Sequence, residues 1–467
     1  MLLSFNYQII KLYTMKKKLL HLCYGFLVKC AHNYLKHHKP TVIWINWSVW
    51  KTSCRMIIFQ TLQKFFPNKK ISTSPKNFNW EFWLSLSVFE ITKWSPSILN
   101  MIKVCCKALF SSLFWKKRYD AIVLEYWIDN PWEMDFILKV AHPDIWVFTA
   151  IDAVHSEQFW NPQKIASEEI KMALNTKSLV FLNANDEFAL QLAPKIKVDK
   201  LMYKTFDTDN IEADISFDEH SFKKWKENAD LKSTFSLNIK NHTYEIETNL
   251  FGKMNYGYIW VALWIAETLA YQWKQNLHLP NKKKIELTYK LQPWRLSIFE
   301  WKSNTIIIDS TYNASPLSVR KTIDTVYTIR NNCFPKSEIW LILWDMRELW
   351  DLTESEHRQL AWYVSQSGDQ LFLLGKSMHD YLADELEKIW ATQNLIITKS
   401  LKELNKTLES KLKERKDENP VILVFKWSQN TIFLEESVKH FLKNKKDEEL
   451  LTRQSEFWMN KKREYLK

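Results

Sequence analysis

The sequence predicts an α/β protein in which a domain with a phosphate-binding loop (P-loop), built on a parallel sheet, is followed by a Rossmann-like domain. Three observations support this prediction. Residues 41–53, TVIWINWSVWKTS, read as a buried β-branched strand, a tight segment and a Lys-Thr pair that opens a helix. Near-continuous apolar runs then alternate with helical patterns, as in a parallel sheet covered on both faces. A second alternating series begins near Gln292.

The Lys-Thr pair indicates phosphate chemistry, but its loop has unusual residues. In a phosphate-binding loop the lysine, here Lys51, holds the β- and γ-phosphates, and the hydroxyl, here Thr52, binds Mg²⁺. Such a loop needs bare backbone N–H groups and left-handed turns, which are properties of glycine. Trp44, Trp47 and Trp50 stand at these positions instead.

The composition offers an explanation for these tryptophans. The chain contains 5 Gly and 24 Trp, whereas average usage would give roughly 33 Gly in this length. We infer that most of the Trp represent glycine, encoded by UGA in a bacterium that reads this codon as Gly. Trp132 and Trp294 follow prolines, and Trp344 and Trp427 precede Asp and Ser at strand ends, where turns favour glycine. The alternative is a tryptophan-rich protein whose indoles fill cores or interfaces and plug the loop.

Length and composition limit the class of protein. A chain of 467 residues with 46% apolar residues allows about two to four domains with packed cores. Its six cysteines show no paired metal-ligand spacing and indicate reduced, mostly buried thiols of a cytosolic protein. No apolar run approaches about 18 residues, so no spanning helix is expected. We therefore expect a cytoplasmic protein. We also expect a monomer that acts on small molecules and has no nucleic-acid partner.

Residues 1–38 are predicted to form a basic helical leader. Residues 1–40 contain seven Lys and no Asp or Glu, and supply +7 of the formal net charge of +12. One interpretation is an amphipathic helix in weak contact with an anionic membrane surface. Its apolar side would consist of Leu19, Leu20, Leu22, Phe26 and Leu27. The interpretation that we favour is a helix docked on the first domain with its lysines in water.

The first domain is predicted to span residues 39–291. Its strands after the loop are expected at 121–126, 144–151 and 178–183. Ligands of such sheets collect at the carboxyl ends of the strands. The polar residues that end or follow these strands are Glu125, His155, Asn185 and Asp186.

The second domain is predicted to span residues 292–442. Its strands are expected at 305–309, 339–343, 370–374, 395–398 and 421–425. Residues 443–467 are expected to form a charged helical tail with a solvated face.

With glycine at the tryptophan positions, nine segments occur in an order that resembles the Mur ligase superfamily. They are GINGSVGKTS (44–53), NFNGEFGLSLSVF (77–89), LEYGIDNPGEM (124–134), TAIDAVHSEQFG (149–160), LNANDE (182–187), FGKMNYGYIGVALGIAE (251–267), QPGRLSIFEGKSNTIIIDSTYNASPLSVR (292–320), LILGDMRELGDLTESEH (341–357) and KGSQNTIFLEE (426–436). The sequence looks most like the members that add D-alanyl-D-alanine to a muramoyl tripeptide. The similarity covers roughly residues 40–442.

The resemblance implies an ATP-dependent, ADP-forming acid–amino-acid ligase of peptidoglycan synthesis, and hence of cell shape and division. Such enzymes transfer the ATP γ-phosphate to a carboxylate, and an amine attacks the acyl phosphate. The ATP phosphates would be bound by Trp47, Trp50, Lys51, Thr52 and Ser53. Thr52 and Glu125 would hold one Mg²⁺ and His155 a second. The alternatives are a salt-bridged carboxylate for Glu125 and a solvent-facing loop histidine for His155.

The resemblance also assigns residues beyond the loop. Asn255, Arg295 and Asp309 match nucleotide-binding positions, with Met254 where the family commonly has His. The positions that match substrate contacts are Asn79, Tyr312, Asn313, Lys426 and Ser428. Gln429 stands where the family often has Arg, which leaves dipeptide specificity less certain.

The family's carbamylated lysine near the second metal has no clear counterpart. An ungapped alignment places Glu169 there, and this carboxylate would supply negative charge without CO₂. A slip of two residues would place Lys171 there instead. We favour Glu169 as the catalytic residue.

The largest departure lies before the loop, where the family usually has a separate domain for the UDP end of the substrate. Only about 40 residues precede the loop here, so the muramoyl substrate would be held differently, supplied by a partner or replaced by another acid. Two alternatives to the cell-wall ligase stay open. One is an amide ligase of the folylpolyglutamate or poly-γ-glutamate type, and the other is a non-catalytic scaffold if the tryptophans are real.

Overall fold

A computed structural model describes most of the chain. The described residues are 2–46, 49–74, 81–91, 97–114, 119–126, 133–152, 168, 170–205, 217–223, 231–240, 242–275, 284–292, 295–301, 305–416, 419–427 and 433–465. The chain divides into two compact units that interleave along the sequence. The first unit consists of Met1–Ile151, Asn161–Ser216 and Gly257–Leu279, and the second consists of Asp152–Trp160, Phe217–Tyr256 and Pro280–Lys467.

A sheet of six parallel strands lies in the first unit. The strands are β1 (Thr41–Asn46), β2 (Ile71–Thr73), β3 (Ala121–Glu125), β4 (Ile145–Phe148), β5 (Leu179–Asn183) and β6 (Asp199–Tyr203). Their order is β2-β3-β1-β4-β5-β6, and every neighbouring pair is parallel. All residues of β4 and β5 are buried, as expected for apolar strands covered on both faces. The strands predicted at 121–126, 144–151 and 178–183 are confirmed, although β4 has only 4 residues and is half as long as predicted.

The helices of the first unit follow the predicted alternation. They are α1 (Leu2–His38), α2 (Lys51–Phe65), α3 (Glu81–Val88), α4 (Ile98–Leu113), α5 (Glu133–Leu138), α6 (Glu187–Leu192) and α7 (Lys253–Gln272), and a 3₁₀ turn covers Ala193–Lys195. The first residues of α7 belong to the second unit and the rest to the first unit. Among the described helices, none combines the length and apolar character that crossing a membrane requires.

The leader helix α1 packs on the first unit. Leu27, Ala31 and Tyr34 are buried, and the Sγ atoms of Cys23 and Cys105 of α4 lie 3.0 Å apart. These contacts agree with the docked interpretation. The predicted single apolar side is wrong, because Leu27 is fully buried whereas Leu22 is 72% exposed.

The sequence interpretation missed a second sheet. It comprises β7 (Phe217–Lys223), β8 (Lys232–Ile239), β9 (His242–Thr248) and β10 (Lys284–Leu287), in the order β10-β9-β8-β7. The β7-β8 and β8-β9 pairs are antiparallel, and β10 is parallel to β9. The expected strand-helix alternation up to residue 291 is therefore wrong here. A signal was present, since Phe235, Leu237 and Ile239 alternate with polar residues in β8, which is typical of a strand with one buried face.

The third sheet lies in the second unit. Its strands are β11 (Ser297–Trp301), β12 (Thr305–Ser310), β13 (Glu338–Trp344), β14 (Gln370–Leu374), β15 (Leu395–Ile397) and β16 (Val421–Lys426). The order is β11-β12-β16-β13-β14-β15, with β11 antiparallel to β12 and the other pairs parallel. Ile306 and Ile308 belong to one apolar core and Ile307 to another. The sheet is thus covered on both faces, and the five predicted strands are confirmed.

Six helices accompany this sheet. They are α8 (Pro316–Cys333), α9 (Thr353–Ser367), α10 (Asp384–Lys388), α11 (Leu401–Glu414), α12 (Glu435–Phe441) and α13 (Glu456–Tyr465), with 3₁₀ turns at Trp350–Leu352 and Lys445–Leu450 and a π-helical turn at Met378–Ala383. The expectation of a solvated tail is wrong, because Thr452, Arg453 and Lys462 are buried. The two charged side chains are tolerated there because they pair with Glu435.

Candidate active site

The described end of the segment between β1 and α2 contains a residue in the left-handed conformation. Trp50 precedes the helix with φ 61° and ψ 5°, the left-handed conformation that favours glycine. Thr149, which the sequence interpretation did not single out, holds both ends of the loop. Its hydroxyl lies 2.8 Å from the carbonyl oxygen of Val49 and 3.1 Å from that of Asn46. Trp47 lies outside the described residues.

The predicted phosphate and metal ligands meet at the start of α2. Lys51, Thr52 and Ser53 are buried in its first turn, where unpaired backbone N–H groups favour an anion. The Thr52 hydroxyl donates a hydrogen bond of 2.8 Å to Oε1 of Glu125. Because β1 and β3 are neighbours in the sheet, the end of β3 brings Glu125 to the loop that follows β1.

Arg55 is a site residue that sequence reasoning missed. Its side chain is 2% exposed, and Nε pairs with Oε2 of Glu125 at 3.0 Å. A second nitrogen donates to the Thr73 hydroxyl at 2.8 Å. The salt-bridge alternative for Glu125 is therefore observed on one carboxylate oxygen, while the other oxygen faces Thr52. Arg55 stands four residues after Lys51, and residues four apart share one face of a helix. This spacing could have indicated that Arg55 belongs to the site.

The residues assigned to the second metal are not placed. His155 and Glu169 lie outside the described residues, as do Asn79 and Ser428. Lys171, the alternative to Glu169, has Nζ 2.6 Å from Asp135 and 2.8 Å from Glu168. Within the ranges that the structure describes, no three His, Cys, Asp or Glu residues are grouped to hold a metal ion.

A cavity in the second unit contains two of the predicted nucleotide residues. It has a volume of about 800 Å³, within the range of cofactor sites, and both Asn255 and Arg295 line it. The Asn255 amide donates to the carbonyl of Phe251 at 2.7 Å, and its Oδ1 has no hydrogen-bond partner among the described residues. The Arg295 guanidinium lies 4.8 Å from the centre of the Tyr312 ring.

Asp309 is fully buried at the end of β12. Its Oδ1 accepts from the Thr311 backbone N–H at 2.9 Å and from the Thr311 hydroxyl at 2.7 Å. Its Oδ2 has no hydrogen-bond partner within the described part of the chain. Burial raises the pKa of this carboxyl to about 6, against the opposing effect of the Thr311 hydrogen bonds.

Lys426 ends β16 beside Asp309. Its Nζ donates to the Ser310 hydroxyl at 3.1 Å and to the Asn313 carbonyl at 2.8 Å. Burial, with the positive charge of Arg295 in addition, lowers the pKa of Lys426 to about 7. The second unit thus brings together five of the predicted residues: Arg295, Asp309, Tyr312, Asn313 and Lys426.

Asp152 is a further residue that sequence reasoning missed, although it stands in the same segment as His155. Its Oδ2 accepts from the backbone N–H of Leu317 at 3.1 Å. Leu317 lies in the first turn of α8, where a carboxylate is stabilised by the helix dipole.

Comparison with known proteins identifies the class of this fold and loop. Residues 50–266 match the model of the Mur ligase middle domain, which confirms the resemblance to the Mur ligase superfamily. The chain is similar to two UDP-N-acetylmuramoyl-tripeptide–D-alanyl-D-alanine ligases. It is 23% identical to that of Bacillus subtilis (strain 168) over 352 residues, 75% of this chain and 66% of the relative. It is 24% identical to that of Borreliella burgdorferi over 269 residues, 55% of this chain and 51% of the relative.

Solved structures agree on the fold. MurF from Acinetobacter baumannii has a TM-score of 0.65 at 15% identity, over 89% of this chain and 79% of that one. MurF ligase from Thermotoga maritima in complex with ADP has a TM-score of 0.62 at 17% identity, over 91% and 84%. The predicted α/β class is confirmed. The chain spans about half to two thirds of the length of the two curated relatives.

Proposed function

We propose that the chain is an ATP-dependent, ADP-forming ligase that joins D-alanyl-D-alanine to a muramoyl tripeptide through an acyl phosphate. The observation that carries this proposal is the 2.8 Å contact of Thr52 with Glu125 beside Lys51. The names of the similar proteins support the choice of substrates. ATP and Mg²⁺ are the cofactors of the proposal.

The residues at the loop fit Mg²⁺. A hydroxyl and a carboxylate are oxygen ligands of the kind that this ion prefers, and Arg55 holds one Glu125 oxygen so that the other faces Thr52. When bound, Mg²⁺ would neutralise phosphate charge that otherwise repels the substrate carboxylate. Lys51, at the helix start, would hold the β- and γ-phosphates. His155 and Glu169 keep their proposed roles toward a second ion.

The second unit is proposed to hold the nucleotide and the incoming dipeptide. The unpartnered Oδ1 of Asn255 suits an amino group of the base, and the unpartnered Oδ2 of Asp309 suits a hydroxyl group of the ribose. Arg295 is assigned to the nucleotide as well. Tyr312, Asn313 and Lys426 are assigned to the dipeptide, with Lys426 protonating when a carboxylate binds beside it.

We also propose that the protein acts in the cytoplasm as a monomer. None of the six cysteines forms a disulfide bond, as reducing conditions would leave them.

The test is phosphate release from ATP and Mg²⁺ with UDP-muramoyl-tripeptide and D-Ala-D-Ala, supplied singly and together. Two genes are compared. One encodes tryptophan at positions 44, 47, 50 and the other motif tryptophans, and the second encodes glycine at all of these positions. Release that requires both substrates supports the proposal. Glu125→Gln should then reduce turnover about 100-fold or more, whereas Glu90→Gln, an exposed control, should not.

Two outcomes would contradict parts of the proposal. If ATP binds but neither substrate stimulates release, the cell-wall substrates are wrong, and folate-type or glutamate acceptors are assayed next. If the glycine-restored protein binds no ATP, the ligase proposal is wrong.

A further inference from the structure

The first unit carries an apolar surface that the proposed reaction does not use. Helix α4 and its C-terminal cap expose Ile98, Leu99, Ile102, Leu109, Phe110, Leu113 and Phe114, and α1 exposes Leu19, Leu22 and Phe26. We call these ten side chains the α1–α4 apolar surface. The opposite face of α4 is buried through Met101, Val104 and Ala108, so this helix is apolar on both sides. A monomer rarely exposes so many neighbouring large apolar groups without a binding role.

The charge around this surface indicates what covers it. Neither α1 nor α4 contains Asp or Glu, and Lys103 and Lys107 are exposed among the apolar residues of α4. Asp135, an acidic residue in a cavity that α1 lines, pairs with Lys171 at 2.6 Å. A second copy of the surface would place lysines against lysines, which is unfavourable. Exposed apolar side chains interspersed with lysines, on two helices without an acidic residue, match an anionic lipid surface instead.

We propose that the α1–α4 apolar surface docks on an anionic lipid bilayer. Leu99 and Phe110, 83% and 64% exposed, enter the boundary between headgroups and acyl chains. Lys103 and Lys107 contact the anionic headgroups. This proposal extends the membrane-contact interpretation of the leader helix to α4, which provides most of the apolar side chains.

The test is co-sedimentation of the full chain with vesicles. Vesicles of phosphatidylcholine with about a third phosphatidylglycerol are compared with pure phosphatidylcholine. The protein should bind the anionic vesicles, and binding should weaken as salt rises. The double variant Leu99→Glu/Phe110→Glu should lower the partition coefficient about tenfold or more. Tyr271→Glu, at an aromatic residue of α7 that is 87% exposed, is the matched control and should bind as the wild type does.

Three results would overturn the proposal. One is equal binding to both kinds of vesicle, and another is unchanged binding of the double variant. The third is a dimer in light scattering that Leu99→Glu dissolves, because the surface would then belong to a second copy. If the double variant has a lowered melting temperature, Lys103→Gln/Lys107→Gln replaces it. The partition coefficient of this second variant should fall by the same factor on anionic vesicles and should not change on pure phosphatidylcholine.

A different observation concerns the C-terminal segment. The guanidinium of Arg453 lies 3.4 Å from the carbonyl oxygen of Thr311 and 3.3 Å from that of Tyr312. These carbonyls belong to the loop of residues 311–313, whose next carbonyl, of Asn313, accepts from Lys426. Two cations that stand 113 and 142 residues further along the chain therefore hold three successive carbonyls of one loop.

Arg453 is itself held in place. Its guanidinium lies 3.5 Å from Oε2 of Glu435, which is fully buried, and Lys462 lies 3.0 Å from the other oxygen. A buried charge that loses its partner is strongly destabilising, so this group of three fixes the geometry. The contacts to the carbonyls and to Glu435 do not depend on whether position 427 is Trp or Gly.

We infer that Arg453 is a positioning residue, which fixes the 311–313 loop for the incoming amine. This inference rests on the proposed function. A planar guanidinium can donate to two carbonyls at once, whereas an ammonium group cannot match this geometry.

Hydrogen exchange of the peptide that contains residues 311–313 tests the inference without an activity assay. Arg453→Met should speed exchange there about tenfold, and Arg453→Lys should give a smaller increase. Arg463→Met, an exposed arginine in the same segment, is the control and should leave exchange unchanged. In the ligase assay Arg453→Met should raise KM for D-Ala-D-Ala about tenfold with KM for ATP unchanged.

Unchanged exchange in Arg453→Met would overturn the inference whatever the activity. A KM for ATP that rises as much as the KM for the dipeptide would also overturn it. Faster exchange in a protein whose wild type releases no phosphate would leave the positioning role intact and reject the proposed function.

Discussion

The end of helix α10 shows what the backbone requires at one tryptophan position. The N–H of Trp390 donates to the carbonyl of Glu387 at 3.1 Å, and that of Ala391 donates to the carbonyl of Leu386 at 2.9 Å. This pair of bonds defines a Schellman motif, whose left-handed residue is usually glycine. Trp390 occupies that position with φ 56° and is 90% exposed. We predict that Trp390→Gly is more stable than Trp390→Ala.

The expected difference follows from the backbone alone, because both variants remove the same indole. An L-residue in the left-handed region costs roughly 1–2 kcal/mol. Greater freedom of glycine in the unfolded chain offsets about 0.4–1 kcal/mol of this. Gly should therefore exceed Ala at position 390 by about 1 kcal/mol in the free energy of unfolding. At Trp362, 67% exposed inside α9, the sign should reverse, since Gly costs about 1 kcal/mol relative to Ala in a helix.

Urea titration followed by circular dichroism measures all four variants. Both positions lie in the second unit, so the same unfolding transition reports them. The reasoning is refuted if Ala equals or exceeds Gly at position 390, or if both positions give the same sign. The codons at positions 44, 47 and 50 test the recoding itself, with UGA supporting glycine and UGG supporting tryptophan.

Three further predictions concern the candidate site. Lys51→Met should lower kcat/KM for ATP about 100-fold in the phosphate-release assay, whereas Lys64→Met, exposed on the same helix, should not; equal effects would refute the role. Stability should fall as pH rises from about 4 to 6, because the buried Asp309 carboxyl, with its pKa raised to about 6, keeps a proton that the unfolded chain releases. Asp309→Asn should flatten that slope in urea titrations, and an unchanged slope would contradict the pKa argument. Glu169→Ala should abolish turnover and Lys171→Ala should change it less than about threefold; the reverse result would assign the family's lysine to Lys171.

The features that the sequence predicted are local. Strands such as β12 and β16 are runs of buried β-branched and apolar residues, whose type is evident within six residues. The loop after β1 was recognised because phosphate binding requires a strand, a turn and Lys-Thr in immediate succession. The strand-end rule marked Glu125 as a candidate ligand residue, whereas its pairing with Thr52 was an expectation from the family resemblance.

The features that were missed depend on contacts between distant residues. Arg453 reaches a carbonyl 142 residues earlier in the chain, and no local pattern marks a charged residue as buried. The tail was expected to be solvated because many of its residues are charged. Arg453 is nevertheless buried, because it pairs with the carboxylate of Glu435 on another helix. The sheet of β7 to β10 was missed for a different reason, because the strand–helix alternation of the neighbouring residues was extended across its strands.

The interleaving of the two units has a consequence for synthesis on the ribosome. The first unit's sheet is complete once Tyr203 has emerged, but α7, which packs on it through Trp260 against Phe181, ends only at Gln272. At typical translation rates this gap lasts roughly 4–14 s. During that time apolar residues of β5 that α7 later covers are open to water. The nascent chain is therefore most vulnerable to aggregation, and most in need of a chaperone, while residues 204–272 are being made.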